Sequence, residues 1–325
     1  MTSTTRQELH VREATPDDYE QLAALLSATW PDSPETVRSL REEDREREAR
    51  CRHLRLLAFD GERLVGACGY GQFAGMYHPR KFYAWVRVHP AHEGQGFGRR
   101  LVDTLHRRLA RFDPISVLAS TREDHRRGMN FAQQQGMSEK MRYFESRLDV
   151  NSFDFTPYAH VLPDIRARGF EIRALSEFPD DEEHRRKLYE LFCDIRRDVP
   201  RPDEASEIAH DFFVSATYDS PYFLPPGYLI AVDTRSGAWA GSSALWKSDQ
   251  AYLDTGLTGV RRAYRRQGLA LAMKLRAIEF ARREGAPEIR TGNETNNRPM
   301  LAINERLGFV KQPAWVDFVK VLTRE

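Results

Sequence analysis

A basic segment that contains glycine, Arg265–Ala270 (RRQGLA), has the residue types best suited to chemistry in this sequence of 325 residues. It follows an apolar stretch with strand character and precedes an amphipathic helix. Unpaired N–H groups at a helix N-terminus favour anions, and a glycine lets the backbone approach a phosphate closely. Arg265 and Arg266 would add charge-assisted donors. Taken alone, the pattern also fits an ordinary turn from a strand into a helix.

The segment has a second copy earlier in the chain. Val88–Gly98 aligns without gaps on Val260–Ala270, 172 residues later, and Gly136-Met137 matches Gly308-Phe309 at the same offset. Two copies in one context favour a phosphate-binding loop over a chance turn. Each copy predicts a strand, a helix, two strands, a strand that runs into the loop, an amphipathic helix, and a last strand and helix. The sequence therefore predicts a mixed α/β sheet flanked by helices, in two tandem domains.

Composition and the repeat set the domain boundaries and exclude several classes of protein. We predict an N-terminal domain over residues 1–150, a linker with Pro and Gly over 151–169, and a C-terminal domain over 170–325. Apolar residues at 41% and charged residues at 30% are typical of a globular protein, and no run suits a membrane span. The net charge of +1 gives no basic surface for nucleic acid. Three scattered cysteines predict neither disulfides nor a zinc site, and the N-terminus lacks an apolar leader, which predicts a cytoplasmic protein.

The second loop and its surroundings resemble a known family. Arg265–Ala270, preceded by Thr258-Gly259-Val260, resembles the Arg/Gln-x-x-Gly-x-Gly/Ala pyrophosphate loop of the GCN5-related N-acetyltransferases (GNAT). Asn293–Met300 and Asn304–Phe309 resemble that family's later helix, which closes over the pantetheine arm. The resemblance covers both halves. It implies a mostly antiparallel sheet, acetyl-CoA as donor, no metal, and direct attack by a primary amine through a tetrahedral intermediate. The tandem layout is also similar to that of mycothiol synthases.

The resemblance implies a cofactor site in each copy, with the better-equipped one in the C-terminal half. Its positions are Thr258, Val260, Arg265, Arg266, Gln267, Gly268, Leu269, Ala270, Asn297 and Asn304 in the second copy, and Val88, Gly94, Gly96 and Gly98 in the first. Asn297 also fits a helix N-cap before Arg298-Pro299. In the first copy Glu93 replaces the family's Arg or Gln, and its negative charge would oppose a pyrophosphate. We therefore expect the first domain to be a scaffold or a weaker acyl-CoA site.

Acyl transfer to an amine needs donors for the developing oxyanion and a base for the ammonium proton. The backbone N–H groups of Leu257–Val260 are the candidate donors. Asp254, on the same strand, is the first candidate base, and the N-terminal copy has Phe82 at the matching place. Glu294 is the second candidate base. Either carboxylate could instead be a surface group.

The acid that protonates the departing thiolate is open. Asn304 stands where many family members have a tyrosine, and an amide is no acid of useful strength. Water or one of Tyr228, Tyr252 and Tyr264 could take that role. The missing tyrosine favours the alternative of a non-catalytic acyl-CoA-binding sensor or scaffold, whereas Asp254 favours an enzyme.

The acceptor-binding loops have no recognisable motif. The expected partner is a small-molecule or peptide amine, with neither nucleic acid nor a membrane. Two repeats could pack against each other as a pseudo-dimer in one chain, so we expect a monomer or a homodimer.

Overall fold

The computed structural model describes residues 9–323 and contains the two predicted repeats. The N-terminal repeat has the strands β1 (His10–Glu13), β2 (Leu54–Asp60), β3 (Arg63–Gly71), β4 (Lys81–Val88), β5 (Ser116–Arg122) and β6 (Ser138–Asp149). Its helices are α1 (Tyr19–Thr29), α2 (Val37–Arg45), α3 (Phe97–Ala110) and α4 (Arg126–Gln134). A short helix, α5 (Val161–Ala167), follows before the second repeat begins.

The C-terminal repeat has the same order of elements. Its strands are β7 (Phe170–Ala174), β8 (Tyr228–Asp233), β9 (Trp239–Trp246), β10 (Tyr252–Val260), β11 (Glu288–Glu294), β12 (Val310–Lys311) and β13 (Trp315–Val321). Its helices are α6 (Glu182–Arg196), α7 (His210–Tyr218), α8 (Leu269–Arg283) and α9 (Arg298–Arg306). The predicted mixed α/β sheet flanked by helices is confirmed.

The segment between the repeats is more ordered than its prolines predict. Pro163 lies in the first turn of α5, where a helix tolerates the missing N–H group. Val161 and Ile165 of the same helix are buried, in the core that also contains residues of α8. The predicted linker over 151–169 is thus partly helical and packed.

A single sheet runs through the molecule in the order β1-β2-β3-β4-β5-β13-β6-β11-β10-β9-β8-β7, and the last strands of the two repeats are exchanged within it. β13 lies beside β5, with Asp317 opposite Ser120. β6 lies beside β11, with Glu145 opposite Gly292. The predicted boundaries separate the repeats along the chain, but each half of the sheet is completed by a strand from the other repeat.

Helices cover both faces of the sheet, and the amphipathic spacing correctly identified two of them. α3 packs with Leu101, Leu105 and Leu109 on one face of the N-terminal half, and α8 packs on the same face of the C-terminal half. α1 and α6 cover the other face in the two halves. Within residues 9–323, no helix is both long and apolar enough to cross a membrane.

The exchanged strand β13 makes the two halves unfold together. Phe318 on β13 is 2% exposed, whereas Val321 on the same strand is 64% exposed. We expect Phe318→Ala to lower the free energy of unfolding by about 3–5 kcal/mol, because the large side chain leaves a cavity. Val321→Ala, the matched control, changes that free energy by less than about 0.5 kcal/mol. Urea denaturation followed by circular dichroism and tryptophan fluorescence should give coincident curves; separate transitions for the two halves would contradict the coupling.

Candidate functional site

A cleft opens where two parallel strands of the C-terminal half separate. β10 and β11 pair only over Tyr252–Thr255 and Glu288–Thr291. Beyond that point, the register of β10 against β9 shifts between Thr255 and Thr258. Such a bulge leaves backbone groups without a strand partner. It overlaps the Leu257–Val260 segment, whose N–H groups are the predicted oxyanion donors.

The loop that follows β10 borders a groove of about 630 Å³. Gly268 caps α8 with a φ of 81°, and Arg266 also has a positive φ, of 63°. The first N–H groups of a helix have no partner within it, so those of α8 are available beside the loop. The predicted positions that line the groove are Thr258, Val260, Arg265, Arg266, Gln267, Gly268, Leu269, Ala270 and Asn297. The structure thus brings together nine of the ten predicted C-terminal cofactor positions.

The two arginines of the loop have different partners. Arg265 contacts the carboxylate of Asp198 and donates from Nε to the carbonyl oxygen of Val260 at 3.0 Å. Hydrogen bonds from Arg262 and Arg265 hold the pKa of Asp198 well below its usual range. Arg266 is exposed and makes no hydrogen bond or ion pair with any residue that the structure describes. Arg266 is therefore the loop cation that is free for an anionic ligand, whereas Arg265 braces the loop.

Two asparagines of the predicted cofactor helix occupy different environments. Asn297 stands at the N-cap position of α9, but its side chain makes no capping hydrogen bond and lines the groove. Asn304 is 1% exposed and donates from Nδ2 to Oδ1 of Asn293 at 2.5 Å. Met300, one turn before Asn304, lines the groove instead. The structure therefore does not place Asn304 with the other predicted cofactor positions.

Asp254 lies where β10 and β11 separate, on the sheet face opposite α8 and beside Arg290. Its carboxylate makes no hydrogen bond or ion pair among the described residues. Burial raises the pKa of Asp254 to about 6; Arg290 opposes this rise, and Glu145 and Glu288 add to it. An unpaired carboxylate that titrates near neutrality has the properties that a general base needs.

The N-terminal counterpart of Asp254 is Tyr83, and the predicted match to Phe82 is wrong. Tyr83 pairs with Leu118, and Asp254 pairs with Arg290, which lies 172 residues after Leu118. β4 pairs with β3 without a register shift, whereas the bulge inserts one residue into β10. A constant offset from the loop therefore identifies the wrong neighbour upstream of the bulge.

Glu294, the second candidate base, holds a turn. Its carboxylate accepts hydrogen bonds from the backbone N–H of Asn296 at 2.8 Å and from Nδ2 of the same residue at 2.9 Å. The Thr295 hydroxyl donates to it at 3.1 Å. Glu294 does not line the groove, and its hydrogen bonds fix the turn that leads into α9.

The three candidate tyrosines lie in different places. Tyr264 lines the groove. Tyr228 is 3% exposed, and burial raises its pKa far above the usual range. The ring centre of Tyr252 lies 3.7 Å from the guanidinium carbon of Arg290. Only Tyr264, of the three, is next to the predicted cofactor positions.

An ion pair closes the loop of the N-terminal copy. Glu93 lies 3.4 Å from Nε2 of His125 and 3.4 Å from the guanidinium of Arg127. Glu93 and Val88 both line an enclosed cavity of about 140 Å³. The carboxylate thus occupies the side of the loop where the C-terminal copy has its groove.

The glycines of the N-terminal loop keep the turn without the groove. Gly96 caps α3 with a φ of 86°, as Gly268 caps α8. Gly94 has a φ of 77°, and Gly98 lies in the first turn of α3. None of these three predicted positions lines the 140 Å³ cavity.

Sequence reasoning missed residues that reach the site from distant parts of the chain. Asp198, which follows α6, fixes Arg265. Glu145 comes from the exchanged strand β6, on the same sheet face as Asp254. The offset of 172 residues matches Glu145 to Asp317 in the sequence. Nothing in that match tells which strands of the two repeats become neighbours.

The described residues have no side chains arranged for a metal. Within residues 9–323, no group of three or more His, Cys, Asp or Glu is placed to hold an ion. The three cysteines, Cys51, Cys68 and Cys193, are free thiols.

Known proteins match this chain in both repeats. The profile of the acetyltransferase (GNAT) family matches residues 17–137 and 179–309. The mycothiol acetyltransferase of Thermobifida fusca is 27% identical over 271 residues, which are 79% of this chain and 79% of that protein. The mycothiol acetyltransferase of Streptomyces scabiei is 26% identical over 262 residues, which cover 80% and 76% of the two chains.

Solved structures share the whole fold. A tandem GNAT protein from the clavulanic acid biosynthesis pathway superimposes with a TM-score of 0.77 at 21% identity, over 98% of this chain and 100% of that chain. A GCN5-related N-acetyltransferase from Sphaerobacter thermophilus gives 0.72 at 16% identity, over 98% and 97% of the two chains. The two family matches, together with the fold, show that this chain belongs to the acetyltransferase (GNAT) family as a tandem, acyl-CoA-dependent N-acyltransferase.

Proposed function

We propose that the C-terminal half transfers an acetyl group from acetyl-CoA to a primary amine of a small molecule or peptide. The observation that carries this proposal is the groove at the start of α8, on which nine predicted cofactor positions converge. The N-terminal loop is closed by Glu93 and offers no comparable groove. Relatives named mycothiol acetyltransferases support a small-molecule acceptor. Free cysteines fit a reducing compartment such as the cytoplasm.

The donor's pyrophosphate fits the loop by charge and by shape. The N–H groups at the start of α8 and the positive end of the helix dipole favour an anion. Arg266 supplies an unpaired cation, and Gly268 brings the backbone close without a side chain. Asn297, which makes no capping bond, is free to bind the pantetheine amides.

The reaction needs a base and oxyanion donors close to the end of the paired part of β10 and β11. Acetyl-CoA supplies an activated acyl group, and the neutral amine attacks its carbonyl carbon while the C–S bond breaks. Asp254 takes the ammonium proton, directly or through a water. N–H groups freed by the bulge between Thr255 and Thr258 stabilise the oxygen that becomes negative. Tyr264, on the groove, or water gives the thiolate its proton.

A non-catalytic acyl-CoA sensor is the second candidate function. Asn304 supports it, because this residue replaces the family's tyrosine acid and is buried against Asn293. A sensor would bind acetyl-CoA but acetylate no amine. Incubation with acetyl-CoA and a panel of primary amines, with free thiol as the readout, distinguishes the two functions.

Matched loop variants test which half binds the donor. Gly268→Trp and Gly96→Trp each place a bulky residue at a helix cap with positive φ, so the backbone strain is similar. We expect Gly268→Trp to weaken acetyl-CoA binding at least roughly 100-fold, about 2.7 kcal/mol, in a calorimetric titration. Gly96→Trp should leave the affinity unchanged. Thermal unfolding of both variants shows that the difference in affinity is not a difference in folding. Loss of binding in Gly96→Trp alone would move the site to the first repeat.

The pH dependence of the reaction tests the role of Asp254. Because the pKa of Asp254 is raised to about 6, kcat/KM should rise with pH along a limb centred near that value. Asp254→Asn should lower kcat by roughly 100-fold or more, with acetyl-CoA affinity unchanged. A variant that retains full turnover, with the acid limb in place, would assign the base to another residue.

The same pKa makes a prediction about stability. The native pKa of Asp254 lies above its ordinary value of 3.8, so its contribution to stability is fully present at low pH and is lost as pH rises through about 6. Relative to wild type, Asp254→Asn should therefore be more stable at pH 8 than at pH 4.5. Urea denaturation at both pH values measures this difference, and a difference of the opposite sign would show that Asp254 is stabilised as an anion.

A further inference from the structure

Polar side chains fill one face of the N-terminal half at the point that corresponds to the neighbourhood of Asp254. The Ser120 hydroxyl donates to the carboxylate of Asp317, which is 5% exposed. Tyr83, the counterpart of Asp254, is close enough to both that each affects its pKa. Tyr143 lies beside the same carboxylate. These contacts close the face between β4, β5 and β13.

The C-terminal half is open at the same positions. Gly292 takes the place of Ser120 and pairs with Glu145, just as Ser120 pairs with Asp317. A Cβ atom at Gly292 would meet no atom within 4 Å. β11 therefore has no side chain at the position between Glu145 on β6 and the strand of Asp254. Those two outer strands lie about 10 Å apart across β11.

Glu145 is fixed from the N-terminal repeat. Nε of Arg147 donates to Oε1 of Glu145 at 2.7 Å. Arg147 also pairs with Asp32 at 3.3 Å, and Asp32 pairs with Arg122 at 2.6 Å. The carboxylate of Glu145 is thus held by charges that all belong to the first copy.

We infer that Glu145, supplied by the N-terminal repeat on the exchanged strand, is a positioning residue for the C-terminal reaction, whose negative charge keeps Asp254 a proton acceptor near neutral pH. This inference rests on the proposed role of Asp254. It gives the first repeat a part in the chemistry of the second, although its own loop is closed by Glu93.

The charges around Asp254 support this role. Glu145 on β6 and Glu288 on β11 oppose its ionisation, and Arg290 on β11 favours it. Tyr252, on β10 itself, also interacts with the Asp254 charge. A like charge reached across an open sheet face is less screened than one reached across bulk water.

Selective carboxyl-¹³C labelling of aspartate measures the effect without any assay of turnover. Asp254→Asn assigns the signal of Asp254 by its loss. In Glu145→Gln the titration midpoint of Asp254 should fall by roughly half a pH unit. Arg147→Met should move the midpoint upward, because it removes the cation that neutralises Glu145. Glu139→Gln, on the outer part of β6 and paired with Arg142, is the matched control and should leave the midpoint unchanged.

Kinetics then test whether the effect reaches the reaction. The acid limb of kcat/KM should move in the same direction as the midpoint in Glu145→Gln, and Glu145→Asp should restore most of the shift. An unchanged Asp254 midpoint in Glu145→Gln, or the same direction of shift in Glu145→Gln and Arg147→Met, overturns the inference while leaving the proposed acetyl transfer intact. A wild type that shifts as expected in the ¹³C titration but acetylates no amine refutes the proposed function instead.

Discussion

The ladder of backbone hydrogen bonds between β6 and β13 is the interaction on which the rest of the structure depends. These strands pair antiparallel, with Trp315 opposite Tyr143, and each also pairs with a strand of the other repeat. Without this ladder, β5 and β11 would be sheet edges with unpaired N–H and C=O groups, which is costly in a folded protein. The exchange removes both edges and makes one sheet of two repeats. It also brings side chains of the first repeat to the site of the second.

Small backbone differences separate the chemistry of two copies that share one fold. A bulge in β10 leaves backbone groups free beside the groove, whereas β4 stays in regular register. The same extra residue puts an aspartate where the first copy has Tyr83. In the first loop, Glu93 pairs with His125 and thereby occupies the anion site with a carboxylate of the chain itself. Fold and function have therefore diverged at only a few positions.

Electrostatics around the C-terminal site follow from partial desolvation. Arg265 is braced by Asp198, which leaves Arg266 as the mobile charge of the loop. Asp254 is half-buried without a partner, and its pKa rises for that reason. Groups poised in this way destabilise the folded chain slightly and are typical of sites that transfer protons. The two halves of the site, one for an anionic donor and one for a cationic amine, thus carry opposite charge.

The sequence by itself determined the features that depend on local geometry. The repeat, the amphipathic helices α3 and α8, and the cap at Gly268 follow from residue spacing and from the positive φ that glycine allows, so nine of the ten C-terminal cofactor positions were found. Tertiary structure decided the rest. It buried Asn304, engaged Glu294 in a turn, and replaced Phe82 by Tyr83 as the counterpart of Asp254. The exchange of β6 and β13 left no mark in the sequence, because backbone hydrogen bonds are chemically alike in every strand and long-range pairing is settled only when all the strands compete for their neighbours.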